Sequence, residues 1–341
     1  MTEVLINPYK PDMTLRTRIK AYNRRMQEIK SFLDENPNEW GLFQSEFNQE
    51  VNGVFRDLMI FEKEHFAKGE EDKVYKLKNF FIEWFRKDFV VGDYTRRSLE
   101  KPYGYAGDFQ VIDDIYLNNP QTTGFERLFD NYFQMSTICH AVRNRKEDFK
   151  RVILKYVAAH PRDQVCAMDL ASGPCRDVFE VLQKLGPGYS NMAFHCYDAD
   201  ENSSKYATQL LGNDPRVTFI KENAVRLALK KNLEELIPER YDIIFSTGLF
   251  DYLDYKISVR LITNLKKLLK PGGIIAISDV RDKFSNPSIY FMEWVADWNL
   301  VYRDDGTFRQ IFIDSGFTRD ELTYLYEQQG VLQYILGTKS K

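Results

Sequence analysis

The stretch "VCAMDLASGPCRD", residues 165–177, runs from an apolar segment through an acid into a loop of small residues, then into helix-compatible sequence. A short apolar run bounded by a glycine-containing loop reads as a buried strand, and the segment after that loop as the helix of a strand–turn–helix unit. In open α/β sheets the first such turn is the usual ligand site. The dinucleotide fingerprint G-x-G-x-x-G laid over it needs glycines at Ala171, Gly173 and Arg176, and only Gly173 is met. The second glycine of that fingerprint lets backbone approach a pyrophosphate and the third permits close helix–strand packing, so a ligand without phosphates does not require the full set.

Downstream the rhythm continues as strand and helix in alternation, with strands expected at 165–170, 192–197, 217–220, 241–246 and 273–278. Alternation of this kind implies a parallel sheet covered on both faces. The tail "ELTYLYEQQGVLQYILGTK" holds two strands around a turn at Gln329 and Gly330, with no room for a crossover helix. They must pair antiparallel.

Upstream the periodicity is helical. Leu15, Ile19, Tyr22, Met26, Ile29 and Leu33 line one face of a first helix with Asp12 as its N-cap. Phe43, Phe47, Val51, Val54, Leu58 and Phe61 line a second, Val74, Leu77, Phe81, Trp84 and Phe85 a third, and residues 124–156 supply one or two more. Residues 1–160 are therefore expected to form a helical bundle whose aromatic stripes pack its core, with a domain boundary near Pro161. The glycine-rich "KPYGYAGD", residues 101–108, interrupts it as an ordered loop.

The 341 residues are 43% hydrophobic and 28% charged, enough for about two soluble domains, and the net charge of −3 gives no general attraction to nucleic acid. Cys139, Cys166, Cys175 and Cys196 show no metal-ligand spacing, which suits a reducing compartment. The N-terminus lacks an apolar signal core and no run of about 18 apolar residues occurs. The expectation is a cytoplasmic protein with no metal, no nucleic-acid partner and no transmembrane segment.

Two acids close successive strands: Asp169 at the first and Asp198, in "YDAD", at the second. A carboxylate at the second position can accept both hydroxyls of a ribose. With these residues in place the sequence resembles the class I S-adenosylmethionine-dependent methyltransferases from about residue 161 onward. "MDLASGPC" is similar to their first motif, "YDAD" to their ribose-binding acid, "KENA" to the end of the third strand, "YDIIFSTGLFDYL" to the fourth-strand motif, and "LLKPGGIIAISDV" to the helix–turn–fifth-strand element. The implied fold is a Rossmann-like, seven-stranded sheet with its last strand antiparallel, preceded by an all-α domain. The implied cofactor is S-adenosylmethionine, with its methionine part against Asp169, Ala171 and Gly173, its ribose on Asp198, its adenine by Asn223 and Ala224, and Thr247 at the end of the fourth strand.

"KPYGYAGD", "CHAVRNR", "SGPCRD", "GLFDYL" and "MEWVADWNLVYR" further resemble a bacterial subgroup described as 3-hydroxypalmitic acid methyl ester biosynthesis proteins. That resemblance implies a small-molecule acceptor with an acyl or similar amphipathic body. Its chemistry distributes roles. Tyr103, Tyr105 and Asp108 are candidates to cover the sulfonium and the acceptor, against the alternative that Asp108 caps the next helix and the tyrosines pack. His140 is a candidate base, against a structural role. Arg143 is the candidate fork for a carboxylate, whereas Arg145 reads more readily as part of a solvated face. Arg176, placed against the helix dipole, needs an anion, either the cofactor carboxylate or a neighbouring acid. Phe250, Asp251 and Tyr252 are candidates for the acceptor pocket, with helix capping the alternative for Asp251. Tyr302, in a segment with Trp294, Trp298 and Arg303, lines either that pocket or packed helices. A cofactor-binding module without turnover and a nicotinamide-dependent oxidoreductase are the competing readings, the latter opposed by the glycine count and the final hairpin.

Overall fold

The computed structural model describes residues 12–285 and 288–340. Its helices are α1 Asp12–Glu35, α2 Gln44–Phe66, α3 Glu71–Trp84, α4 Asp93–Glu100, α5 Phe109–Leu117, α6 Gly124–Met135, α7 Thr137–Ala159, α8 Arg176–Leu185, α9 Glu201–Leu211, α10 Ala224–Leu229, α11 Leu233–Leu236, α12 Tyr255–Leu268, α13 Ser288–Trp294 and α14 Asp305–Asp314. Its strands are β1 Val165–Leu170, β2 Met192–Asp198, β3 Val217–Lys221, β4 Tyr241–Ser246, β5 Leu269–Val280, β6 Leu322–Tyr326 and β7 Leu332–Thr338. Asp12 is the first described residue, so the cap expected of it lies outside what the structure describes.

The chain forms two compact units. The first takes the chain up to Val111, then Asn118–Cys139 and Lys283–Asn299; the second takes Ile112–Leu117, His140–Asp282 and Leu300–Lys341. This division differs from the expected boundary near Pro161. Packing is the reason. On α7, Phe149 meets Phe245 of β4 and Tyr334 of β7, so most of that helix belongs with the sheet. On α13, Phe291 meets Phe55 and Trp294 meets Phe81, so this late segment belongs with the helices.

In the first unit the periodic faces are buried as their spacing predicts: Ile19, Tyr22, Met26, Ile29 and Leu33 of α1, Phe47, Val51, Val54 and Leu58 of α2, and Val74, Leu77 and Phe81 of α3. Tyr22 stacks on Phe89 at 4.8 Å between centroids, and Phe47 meets Phe129 edge-on at 4.7 Å. These rings are core, but Trp84, expected in the third stripe, is 50% exposed at the last residue of α3, and Phe43, Phe61 and Phe85 are half-buried.

In the second unit the sheet order is β3-β2-β1-β4-β5-β7-β6. β1 through β5 are parallel, and β7 runs antiparallel between β5 and β6. The chain order reverses at β1, between β2 and β4, which opens the crevice where open sheets hold ligands. The register sets Asp169 beside Cys196 and Leu170 beside Tyr197, bringing the carboxyl ends of β1 and β2 level. Beneath them Met168, Leu170, Ile244, Ile275, Ile277 and Ile335 pack with Leu261, Leu265 and Phe312 into a continuous core.

Candidate active site

The loop after β1 carries the geometry of a five-residue turn with left-handed backbone at every second position: Ala171 at φ 56°, Gly173 at 54° and Cys175 at 53°. Two of these three residues have side chains, and the conformation costs each of them about 1–2 kcal/mol. It is held by an enclosing set of bonds. The Ser172 amide donates to the Tyr197 carbonyl at 3.1 Å, the Cys175 amide to the Ser172 carbonyl at 3.1 Å, and the Ser203 hydroxyl to the Gly173 carbonyl at 2.7 Å. The Gly173 amide donates to Asp198 Oδ2 at 2.9 Å, while Asp198 Oδ1 accepts from the Asp200 amide at 2.8 Å. Each oxygen keeps a lone pair, so two ribose hydroxyls can still be accepted there. Burial pushes the Asp198 carboxyl up from its ordinary value despite these amides.

Gly173 has open space where a Cβ would project. Close by, Asp169 is buried and its Oδ2 has no hydrogen-bond partner. An open backbone cradle together with an orphaned buried carboxyl oxygen fits a ligand that offers a cationic or N–H group, as the methionine end of S-adenosylmethionine does. Burial first, and then the nearby Asp177, pushes the Asp169 carboxyl well above the usual range.

Proximity in space supplies a grouping that chain spacing does not show. Asp169, Cys175 and Cys196 bring their ligand-type atoms within 4.8 Å of one another, all buried. A hydrogen bond with Cys175, and then burial, pushes the Cys196 thiol far up, so it stays protonated at neutral pH and is a poor ligand or nucleophile.

Other expected residues are engaged elsewhere. Arg176 is bound through Nε and Nη2 to Asp113 at 2.7 and 2.6 Å, and Tyr206 adds its hydroxyl to the same carboxylate at 2.5 Å. Its anion is a neighbouring acid from α5 rather than the cofactor. Asn223, expected beside the adenine, uses its side-chain carbonyl to cap α10, accepting the Val225 and Arg226 amides at 2.9 and 3.2 Å. Ala224 opens the same helix, and Thr247 comes just after β4, half-buried.

Around β4 the expectations change most. Phe250 is fully buried, packed in the core cluster with Leu253, Leu261 and Phe308. Asp251 is also buried, accepting the Val280 amide at 2.8 Å; burial pushes its carboxyl up to about 6. Tyr252 is exposed and Tyr302 half-buried. Arg143 donates to the Ile115 carbonyl at 3.3 Å, whereas Arg145, read as solvated, is buried at 3% exposure. His140 is on the surface, its pKa lowered by partial burial and then by Arg143.

In the first unit the 101–108 loop contains the remaining candidates. Asp108 is a helix cap: its Oδ1 accepts the Gln110 and Val111 amides, each at 3.0 Å, and both oxygens take Arg97 Nη2 at 3.2 and 3.1 Å. That leaves it poorly placed to act as a base. Tyr103 packs on Phe109 at 4.8 Å between centroids and lies under the Arg97 guanidinium at 5.6 Å. Tyr105 is 40% exposed. A cavity of about 170 Å³ in this unit is lined by Asn48, Asn52, Arg56, Tyr132, Met135 and Ser136, among others, a lining of mixed polar and apolar character.

Among the described residues no helix is long and apolar enough to cross a membrane. Residues 168–275 match a family model described as a methyltransferase domain. No curated protein matches the sequence. Among solved structures, the fold is shared with a possible exported protein from Bordetella parapertussis at 14% identity, covering 87% of this chain and 97% of that one, TM-score 0.57. It is shared too with a candidate methyltransferase from Thermobifida fusca at 15% identity, covering 67% and 94%, TM-score 0.50. A magnesium protoporphyrin IX methyltransferase from Synechocystis, crystallised with S-adenosylmethionine, matches at 13% identity over 73% and 98%, TM-score 0.46.

Proposed function

We infer that this chain, as an S-adenosylmethionine-dependent methyltransferase with its methyltransferase domain over residues 168–275, methylates a small-molecule acceptor at a carboxylate or hydroxyl of a fatty-acid-like body. The observation that carries the cofactor part is the 171–175 loop. Its left-handed alternate residues present open backbone at Gly173 between Asp169, with an unfilled oxygen, and Asp198, with lone pairs to spare. The acyl part rests on the resemblance of "KPYGYAGD", "CHAVRNR" and "MEWVADWNLVYR", and cytoplasmic location on four free cysteines, three of them buried.

Asp198 would hold the ribose, Asp169, Ala171 and Gly173 the methionine part, and Ala224 and Thr247 would border the adenine and the sulfonium. The cofactor, when bound, supplies a methyl group already activated on a sulfonium. The residues must then bind, align and exclude water; holding nucleophile and methyl in contact is worth up to about 7–11 kcal/mol in favourable systems. A carboxylate acceptor needs no base. A hydroxyl acceptor gives up a proton, and His140, with its lowered pKa, is neutral and able to take it near pH 7.

Calorimetry with S-adenosylmethionine, S-adenosylhomocysteine and NAD, followed by labelled methyl transfer into lipid and small-molecule extracts, tests this reading. Binding of the first two with labelled product is expected; NAD binding alone would sink it. Asp198→Ala should weaken S-adenosylhomocysteine about ten- to a hundredfold through two lost charge-assisted bonds, and unchanged affinity would refute the ribose assignment.

A further inference from the structure

Left-handed backbone at Ala171 and Cys175, both of which carry side chains, persists only where the surroundings over-determine it, so the 171–175 loop needs a source of constraint. Two elements flank it. Arg176 is the first residue of α8, directly after Cys175, and Ser203 of α9 donates its hydroxyl to the Gly173 carbonyl at 2.7 Å. Both flanks converge on one carboxylate. Asp113, in the part of α5 that belongs to the second unit, is fully buried. Its Oδ1 accepts Arg176 Nε at 2.7 Å and its Oδ2 accepts Arg176 Nη2 at 2.6 Å, a bidentate fork. The same Oδ2 accepts the Tyr206 hydroxyl at 2.5 Å. Tyr206 follows Ser203 by three residues on α9, so the helix that grips Gly173 is itself gripped one turn further on.

The arrangement serves the loop more than either helix. An arginine in the first turn opposes the helix dipole, so α8 by itself gives no reason for Arg176, whereas Asp113 does. The guanidinium also lies over the Phe179 ring at 5.7 Å, which fixes its direction. On the other side of the loop, the Gly173 amide donates to Asp198 Oδ2 at 2.9 Å, so the loop in turn orients the carboxylate assigned to the ribose. A chain of bonds therefore runs from Asp113 through Arg176 and α9 to Gly173 and on to Asp198, all within the second unit. Removing the charge of Asp113 leaves a half-buried guanidinium without its anion at the exit of the loop.

We propose that Asp113 is a positioning residue for the cofactor: by anchoring Arg176 and Tyr206 it holds the 171–175 loop and, through Gly173, Asp198 in their ligand-binding arrangement. The inference rests on the methyltransferase reading for the identity of the ligand, and on the hydrogen bonds alone for the shape of the loop. Asp113 sets affinity through the loop, from a helix on the far side of Arg176.

The test uses the full chain with Asp113→Asn, and with Tyr206→Phe, which keeps the ion pair should the former fail to fold. N-ethylmaleimide labelling, resolved by peptide mass spectrometry, compares Cys175, buried at the end of the loop, with Cys139, buried in the first unit, and so separates local opening from global unfolding. Calorimetry measures S-adenosylhomocysteine binding. Asp113→Asn should label at Cys175 about tenfold faster than the parent protein with the Cys139 rate unchanged, and bind S-adenosylhomocysteine about ten- to a hundredfold more weakly. Saturating ligand should restore the protection of Cys175. Tyr206→Phe should move both readouts the same way by a smaller factor. Folded variants that bind S-adenosylhomocysteine as the parent protein does, whatever their Tm, reduce Asp113 to a structural bond and overturn the proposal. A parent protein that binds no S-adenosylhomocysteine, while Cys175 still opens in Asp113→Asn, overturns the methyltransferase reading and leaves the hold of Asp113 on the loop standing.

Discussion

Two short glycine-containing loops, 101–108 and 171–175, give similar signals in the sequence, and Gly107 of the first and Gly173 of the second have opposite surroundings, while Gly104 of the first is as open as Gly173. Gly107, at φ 67°, is wedged beneath a tryptophan: a Cβ there would lie 2.2 Å from Cζ2 of Trp298. Gly173, at φ 54°, has nothing within 4 Å of the same position. One glycine makes room for packing and the other keeps room for something absent from the chain. The second loop adopts left-handed backbone even at Ala171 and Cys175, so its shape is imposed by surrounding bonds rather than by glycine. A loop kept strained and left open at its centre is what a ligand site requires.

The sharpest way to break this contrast is Gly107→Ala. Overpacking against Trp298 adds to the cost of a left-handed alanine, for an expected loss of about 2–5 kcal/mol in denaturant unfolding. Cofactor affinity of the folded fraction should stay as it was. A loss under about 1 kcal/mol, the size of the backbone cost alone, would mean that Trp298 is not seated there.

A pH experiment probes the second loop next. Burial pushes the Asp177 carboxyl, at the start of α8, up to about 6. Because the folded value is raised, its contribution to stability is complete below about pH 4 and is lost as pH rises through 6. Asp177→Asn keeps an acceptor for the Val178 amide. From about pH 4 to about pH 7 the variant should therefore gain on the parent protein by up to roughly 3 kcal/mol in paired unfolding curves. Parallel pH profiles would count against a buried acid at that site.

The smallest change in stability is expected of Gly173→Ala, about 1 kcal/mol, because only the backbone conformation resists it. Its Cβ enters the open cradle, so S-adenosylhomocysteine affinity should fall at least tenfold while the Tm moves little. Gly107→Ala and Gly173→Ala are thus opposite in what they spare, and a variant pair that behaves alike would erase the distinction between the loops.

The legibility of the site divides in the same way. Acids at strand ends are recognisable because strand ends are, and Asp169 and Asp198 stand where the strand pattern puts them. Arg143 and Arg145 could not be sorted this way. They are two steps apart on α7, and which of the two meets the sheet depends on how the helix is rolled against β4 and β7. Arg176 announced a need for an anion, yet its partner Asp113 lies 63 residues away. Asp108 had two readings in the sequence, and the Gln110 and Val111 amides select the cap.

The sequence by itself determined the elements. The helical faces of residues 15–33, 47–58 and 74–81 arise from a repeat of about 3.6 residues, and the five parallel strands and the antiparallel return at the C-terminus from short apolar runs and the segments between them, all local properties of the chain. Tertiary structure alone decided that residues 112–117 and 140–160 belong with the sheet and 283–299 with the helices, that Cys175 meets Cys196, and that Arg145 rather than Arg143 is buried. These depend on pairings between distant segments, chosen by side-chain volume and by unfilled hydrogen-bonding groups, and no periodicity along the chain records them.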